Sequence, residues 1–312
     1  MVRGCAKEDM INAGITEICL NEDIYLRHAY FSDDSTGFVC GGEKNISGSI
    51  FRSSDHGITW QKVLHSDKYS FYDISFVNDS TGYACGDSLS LFKTCDSGIT
   101  WEQFEFTNLP WEPFINPCKA ISIINKDTII ATGGEFYMKG IVSITYNAGD
   151  SWTHTSYDNE FRSTCFINNT TGFFGGYGVM YKTTDAGQTF NQCKLRDDSF
   201  VSIFFTSEQT GYAAGYNGGI YKTTDAGDNW EEIFGHNHAL GKRLHFYKIK
   251  FYDQNTGFVA GNNGVIMKTK DAGNTWRQID TGTDRNFYSL HIFNENRILV
   301  TAENGRIYII EL

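Results

Sequence analysis

Thr223-Thr224-Asp225-Ala226-Gly227-Asp228-Asn229-Trp230 is one of six copies of a single eight-residue phrase. The others run from Ser53 to Trp60, Thr94 to Trp101, Thr145 to Trp152, Thr183 to Phe190 and Thr269 to Trp276, with Asp55, Asp96, Asn147, Asp185 and Asp271 at the third place. Their spacing is that of a four-stranded blade in a repeat array. The phrase has the chemistry of a turn. The short side-chain oxygen of Asp or Asn accepts from nearby backbone N–H groups, and the Gly two residues on tolerates positive φ. The Ser or Thr two residues earlier braces the loop, and the closing aromatic starts the next strand and buries apolar area.

A second phrase precedes each copy: Thr36-Gly37-Phe38-Val39-Cys40-Gly41, Thr81 to Gly86, Thr171 to Gly176, Thr210 to Gly215 and Thr256 to Gly261, with degenerate forms at 126–133 and 295–302. Each is a turn followed by a short apolar strand, then a Gly-rich loop and a further strand such as Gly219-Ile220-Tyr221-Lys222-Thr223. Seven strand phrases against six hairpin phrases leave the last blade one strand short. Asn12-Ala13-Gly14-Ile15-Thr16-Glu17 repeats the hairpin spacing, with Glu17 in the place of the aromatic. It predicts that Ile15 to Leu20 supplies the missing outer strand. The expected fold is therefore all-β: a seven-bladed β-propeller of four-stranded antiparallel blades, its ring closed by the N-terminal strand. One domain is expected over 10–312, with 1–9 expected as a flexible tail.

Composition sets limits. Twenty-six Lys and Arg against 37 Asp and Glu give a net charge of −11, which disfavours nonspecific binding to nucleic acid or an anionic membrane. No apolar run approaches the ~20 residues of a membrane helix. Of the eight cysteines, Cys40 and Cys85 occupy the repeat place that holds Thr132, Ala214 and Ala260 elsewhere, and Cys165 that of Ser75 and Ser122. They read as small hydrophobes rather than a disulfide frame. The absence of a CxxC phrase argues against zinc or redox chemistry. No cofactor is expected, and the molecule is expected to be a monomer.

The phrase Ser/Thr-x-Asp-x-Gly-x-Thr-Trp resembles the Asp box, or bacterial neuraminidase repeat. The companion wording, as in Phe251 to Gly261, is similar to that of the photosystem II stability and assembly factor family of seven-bladed propellers, which also has members in non-photosynthetic bacteria. The likeness covers residues 10 to 312 and implies a propeller. In that family an Arg-bearing patch is associated with client-protein binding, and Arg162 in Phe161-Arg162-Ser163 is the best local match. Asp-box propellers resemble exported proteins, and Cys5 after Gly4 is a candidate lipid-attachment site, so an extracytoplasmic location is expected: periplasmic, secreted or lipid-anchored.

The Asp-box carboxylates are spread around the rim, too far apart for the ~5–9.5 Å of a glycosidase pair, and read as fold residues. They share a face with the Thr-Gly turns. The opposite face carries the variable loops, where ligand sites are expected. Two connections there are long: one holds Trp111, Glu112 and Phe114, the other His236, His238, Arg243 and His245. Trp111 and Phe114 are either partner contacts or a lid on the core, and Arg243 is a further candidate partner contact. The histidines lack a carboxylate or thiolate in frame, so no metal is expected.

Aligning the inner strands on the Thr-Gly turn puts Arg27, Tyr72, Lys119, Arg162, Val201, Tyr247 and Tyr288 at one place. Three cations and three tyrosines ringing the channel mouth suit an acidic peptide or another anionic ligand, with Arg as a bidentate fork and Tyr as a stacking face and hydroxyl. Alternatively the strand tops are merely solvated. Two classes of function stay open. One is a non-enzymatic scaffold recognising a protein or peptide. The other is a glycoside hydrolase acting on carbohydrate, since sialidases and xyloglucan-hydrolysing enzymes also carry Asp boxes; Asp73, Glu112 and Glu135 are its candidate acids and bases. The Arg-Ile-Pro phrase usual in sialidases is absent.

Overall fold

The computed structural model describes residues 10–104, 106, 116–195, 198–235 and 244–312. Blade one shows how the two phrases build a unit. Strand β1 (Gly14–Cys19) comes first in the chain, and the blade then runs β2 (Tyr25–Phe31), β3 (Gly37–Glu43), β4 (Ser47–Ser53) and β5 (Gln61–Ser66), each antiparallel to the next. The order recurs in β6–β9 (71–104), β10–β13 (118–157), β14–β17 (161–192), β18–β21 (200–234) and β22–β25 (246–278). The seventh sheet is β26 (Phe287–Asn294), β27 (Arg297–Ala302), β28 (Arg306–Glu311) and β1. The fold is an all-β, seven-bladed propeller.

The ring closes as the sequence predicts, one residue earlier than expected: β1 pairs with β28 from Gly14 opposite Glu311 to Cys19 opposite Arg306. The worn phrase at Asn12, however, is not an Asp-box turn. Ala13 and Gly14 keep negative φ, and Ile11 instead lies along blade six, donating to the Gln278 carbonyl at 2.9 Å and accepting from the Asp280 N–H at 3.0 Å. The reason is topological. Among the described residues no strand of the same sheet leads into Asn12, so no hairpin turns there.

The hairpin phrases follow their turn chemistry closely. In the second copy Asp96 Oδ1 accepts from the N–H groups of Ile99 and Thr100 at 3.1 and 2.9 Å, Oδ2 accepts from the Thr100 hydroxyl at 2.6 Å, and the Thr94 hydroxyl accepts from the Gly98 N–H at 3.0 Å. These donors hold the Asp96 carboxyl down at about 2, and the Asn229 side-chain amide and N–H do the same for Asp225. Where Asn147 replaces Asp, the contact at the seventh place reverses and its amide donates to Ser151 Oγ at 2.9 Å. The residue before each Gly also takes positive φ, 55–60°, in all six copies. Its N–H donates to a carbonyl of the Thr-Gly turn in the same blade, as from Ser97 to Ser80 at 3.0 Å, which places both phrases on one face.

Seven separate apolar clusters hold the ring, one at each seam between neighbouring blades. Between blades one and two, Phe38, Cys40 and Ile50 meet Phe71, Ile74, Phe92 and Trp101. Cys40 and Cys85 are fully buried in these seams, as small hydrophobes would be. The described cysteines are free thiols, and Cys85 donates to the Cys118 carbonyl at 3.2 Å. Stability is thus distributed over nearest-neighbour contacts, as in other repeat arrays.

Candidate functional site

Each inner strand carries an irregularity at the same place. The register between first and second strands shifts between Leu26 and His28, Phe71 and Asp73, Cys118 and Ala120, Phe161 and Ser163, Phe200 and Ser202, Phe246 and Lys248, and Phe287 and Ser289. The extra residue is Arg27, Tyr72, Lys119, Arg162, Val201, Tyr247 or Tyr288 in turn. A bulge leaves its extra residue unpaired and re-aims the side chain. Here the residue before it is buried in the seam, Phe in five blades of seven, and the bulged residue is released toward the axis.

All seven bulged residues line one cavity of about 360 Å³ on the loop face, with Lys44 from the β3–β4 loop as an eighth member. The same seven also border a narrower cavity of about 110 Å³ in the channel below, reached by His28, Asp73 and Lys248. The ring therefore borders both an open mouth and a smaller cavity beneath it.

Acidic residues stand behind the ring, and the sequence reading missed them. Glu160, 2% exposed, receives Lys119 and Arg162 together, with Arg162 Nε at 2.9 Å, and its other oxygen accepts from the Tyr137 N–H at 2.9 Å. Burial pushes this carboxyl up, but the two cations outweigh it and hold it below the ordinary value. Burial lowers Lys119 to about 8, against the pull of Glu160. Tyr72 donates to buried Asp87 at 3.0 Å and Tyr288 to Glu303 at 3.3 Å. Those two hydroxyls are thereby spent on the protein, so the tyrosines offer ring faces rather than donors. Burial raises both phenols, Tyr288 to about 12, and they remain neutral at physiological pH.

Arg27 differs from its two basic counterparts. Its guanidinium lies 4.8 Å over the Tyr72 ring, with Nε 3.3 Å from Ser70 Oγ and a terminal nitrogen 3.4 Å from the Gly42 carbonyl. Among the described residues it has no carboxylate partner. Lys44 pairs with Glu135 at the end of β11 (Ile129–Glu135) and sits 5.8 Å from the Phe136 ring centre.

The candidate hydrolytic carboxylates are tied down. Asp73 accepts from His28 Nδ1 at 3.0 Å, the Ile74 N–H at 2.9 Å and, across the seam, the Ile121 N–H at 2.9 Å. Burial raises Asp73 to about 6 while Lys248 and these N–H groups pull it back, and burial with Lys248 and Lys250 keeps His28 neutral. Asp73 thus links three blades. Glu135 is held by Lys44 and lines neither cavity. Glu112, Trp111, Phe114, Arg243, His236 and His238 lie outside the described residues. His245 stacks on Tyr216 at 4.2 Å and bonds through Nδ1 to the Tyr216 carbonyl. Among the described residues no group of three His, Cys, Asp or Glu is placed to hold a metal, and no helix is long and apolar enough to cross a membrane.

Fold and repeats define an Asp-box propeller with a basic and aromatic mouth on its loop face. The family model of the photosynthesis system II assembly factor YCF48 matches residues 63–197 and 192–309, and the chain belongs to that family. A solved structure of YCF48 bound to D1 peptide is similar with a TM-score of 0.72 and 18% identity, over 96% of this chain and 95% of that one. YCF48 from Cyanidioschyzon merolae gives 0.72 and 15%, over 95% and 98%. The GH74 xyloglucanase from Xanthomonas campestris gives 0.72 and 11%, over 94% of this chain and 53% of that one. No curated protein matches the chain. At these identities the similar structures establish the fold alone.

Proposed function

We propose that this protein is a non-enzymatic scaffold whose loop-face mouth binds an acidic segment of a partner protein, through a side-chain carboxylate or a free C-terminus. The observation that carries the reading is the convergence of seven bulged residues, one per blade, on a single cavity rich in cations and aromatic faces. A bulge costs ladder pairing, and one repeated in every blade at the channel mouth supports a role for the side chains it re-aims. Arg27 contributes most to anion capture, because no carboxylate neutralises it among the described residues. Lys119 and Arg162 share the single charge of Glu160 and so add one net positive charge between them. The D1 peptide bound to YCF48 supports a peptide as ligand. The hydrolase reading gains nothing from the described carboxylates, since Asp73 and Glu135 are each held by partners of their own.

The test is selection from a random decapeptide display library on the purified protein. The expected binders are rich in Asp and Glu near one another or end in a free carboxylate. Each charge-assisted hydrogen bond removed by Arg27→Gln or Arg162→Gln costs about 1.5–3 kcal/mol, roughly a tenfold to hundredfold loss of affinity. Binders without acidic bias, or affinities unchanged in both variants, would overturn the proposal. Turnover of xyloglucan oligosaccharides by the wild-type protein would place it with the enzymes instead.

A further inference from the structure

The loop joining β11 to β12 (Lys139–Thr145) is Phe136-Tyr137-Met138, and all three side chains face solvent: Phe136 is 67% exposed, Tyr137 52% and Met138 70%. Phe136 and Tyr137 both take left-handed backbone, with φ of 57° and 65°. The equivalent loops of blades one, four, five, six and seven put Asn45, Gly178, Gly218, Asn263 and Asn304 in that conformation, while blade two puts Ser88 and Leu89 there with Leu89 buried; blade three alone of the seven exposes bulky apolar side chains from it. Asn and Gly are the residues that visit it readily, whereas a bulky aromatic pays for it. Strain of this kind, fixed by the surrounding structure, gathers at binding sites.

The loop is also tied to the mouth by a hydrogen bond and ring contacts. Its Tyr137 N–H is bonded by Glu160, the same carboxylate that organises Lys119 and Arg162. The Tyr137 ring lies 4.7 Å from that of Tyr177, itself 47% exposed, and the Arg162 guanidinium sits 5.6 Å from the Tyr137 ring centre. On the other side Lys44 approaches the Phe136 ring at 5.8 Å. Two mouth cations thus border a fixed, exposed apolar shelf.

We infer that this shelf is a specificity subsite for a bulky apolar side chain, so that the recognised partner segment carries Leu, Ile, Met or Phe close to the acidic group engaged by the mouth. The inference rests on the peptide-binding reading above. The occupant is a protein segment, because the cations that rim the shelf, Lys44 and Arg162, also line the mouth cavity, and pre-ordered aromatic contacts of this kind supply binding energy with little entropy loss.

The same decapeptide library, selected in parallel on wild type, Phe136→Asn and Met138→Ser, separates the two claims. Wild type is expected to enrich acidic and large apolar residues together; the variants are expected to keep the acidic bias, lose the apolar one, and bind a wild-type-selected peptide at least tenfold more weakly. Asn suits left-handed backbone, so Phe136→Asn is expected to melt no lower than wild type, which keeps lost binding distinct from misfolding. Acidic enrichment without apolar enrichment, or apolar enrichment that survives in both variants, overturns the shelf and leaves the mouth intact. Loss of acidic enrichment in wild type overturns the mouth itself. Shelf-dependent sedimentation of the wild type with phosphatidylglycerol vesicles would assign the shelf to a membrane surface and overturn the inference.

Discussion

Replacing Glu160 by Gln removes the one carboxylate shared by Lys119 and Arg162 while keeping the side-chain volume and an acceptor for the Tyr137 N–H. Breaking a fully buried pair costs ~3–5 kcal/mol, and charge-assisted hydrogen bonds with some access to water ~1.5–3 kcal/mol. Lys119 is 18% exposed and Arg162 25%, so both cations recover part of their hydration and the lower range applies. A loss of about 2 kcal/mol, set against an unfolding entropy of ~2.1 cal/mol/K per residue, lowers Tm by about 3 °C if the ring melts cooperatively.

The pH dependence gives a second readout. The folded-state pKa of Lys119 is lowered to about 8, so between 8 and its ordinary value of 10.5 the unfolded chain binds more protons and stability rises with pH. Without Glu160 to favour the charged form, that window extends to lower pH. The Tm deficit of Glu160→Gln is therefore expected to be largest near pH 7 and to shrink toward pH 10. Differential scanning calorimetry across that range measures both. A Tm within one degree of wild type at pH 7, or a deficit independent of pH, would mean that Glu160 does not organise the mouth.

Other consequences are local. Gly98 has φ of +73°, and a Cβ there would sit 2.2 Å from the ring of Phe38, itself 1% exposed; Gly282 has φ of +63° with nothing within 4 Å. Gly98→Ala is expected to cost about 3 kcal/mol or more and Gly282→Ala about 1 kcal/mol, checked by thermal melts. Burial and neighbouring Lys248 lower Lys250, on the inner strand of blade six, to about 7, so below that pH its charge costs stability in full, and the cost vanishes as pH rises toward 10.5. Lys250→Met is accordingly expected to raise Tm at pH 6 and to leave it nearly unchanged at pH 10.

The repeated phrases made the architecture legible because they obey local rules: an Asx-type turn, a left-handed Gly and alternating apolar strands act over a few residues. Ring closure by the N-terminal strand followed from counting, although Asn12 looked like a turn residue and the fold uses it as part of a segment on blade six. The mouth was legible by alignment, and its cause was written there too. Apolar residues at Phe71 and Ile74, Phe246 and Ile249, and Phe287 and Leu290 stand three apart where a regular strand requires two, which is the mark of a bulge. Glu160 carried no such mark. Its partners are the Tyr137 backbone of a distant loop and two cations from separate strands, and long-range arrangement of that kind leaves no local pattern. Asp87 and Glu303 escaped notice for the same reason, and with them the loss of the Tyr72 and Tyr288 hydroxyls to the protein.

Val201 is the one ring member without charge or hydroxyl, and it lines the mouth with the other six. A photo-crosslinking p-benzoylphenylalanine at Val201, irradiated with a library-selected acidic decapeptide, shows whether the peptide sits in the mouth; the same probe at Ile99, 59% exposed in an Asp box on the opposite face, is the comparison. A covalent adduct is expected at Val201 that an excess of unlabelled peptide abolishes, and none at Ile99. Cross-linking at Ile99 equal to or stronger than at Val201 would mean that the peptide does not sit in the mouth.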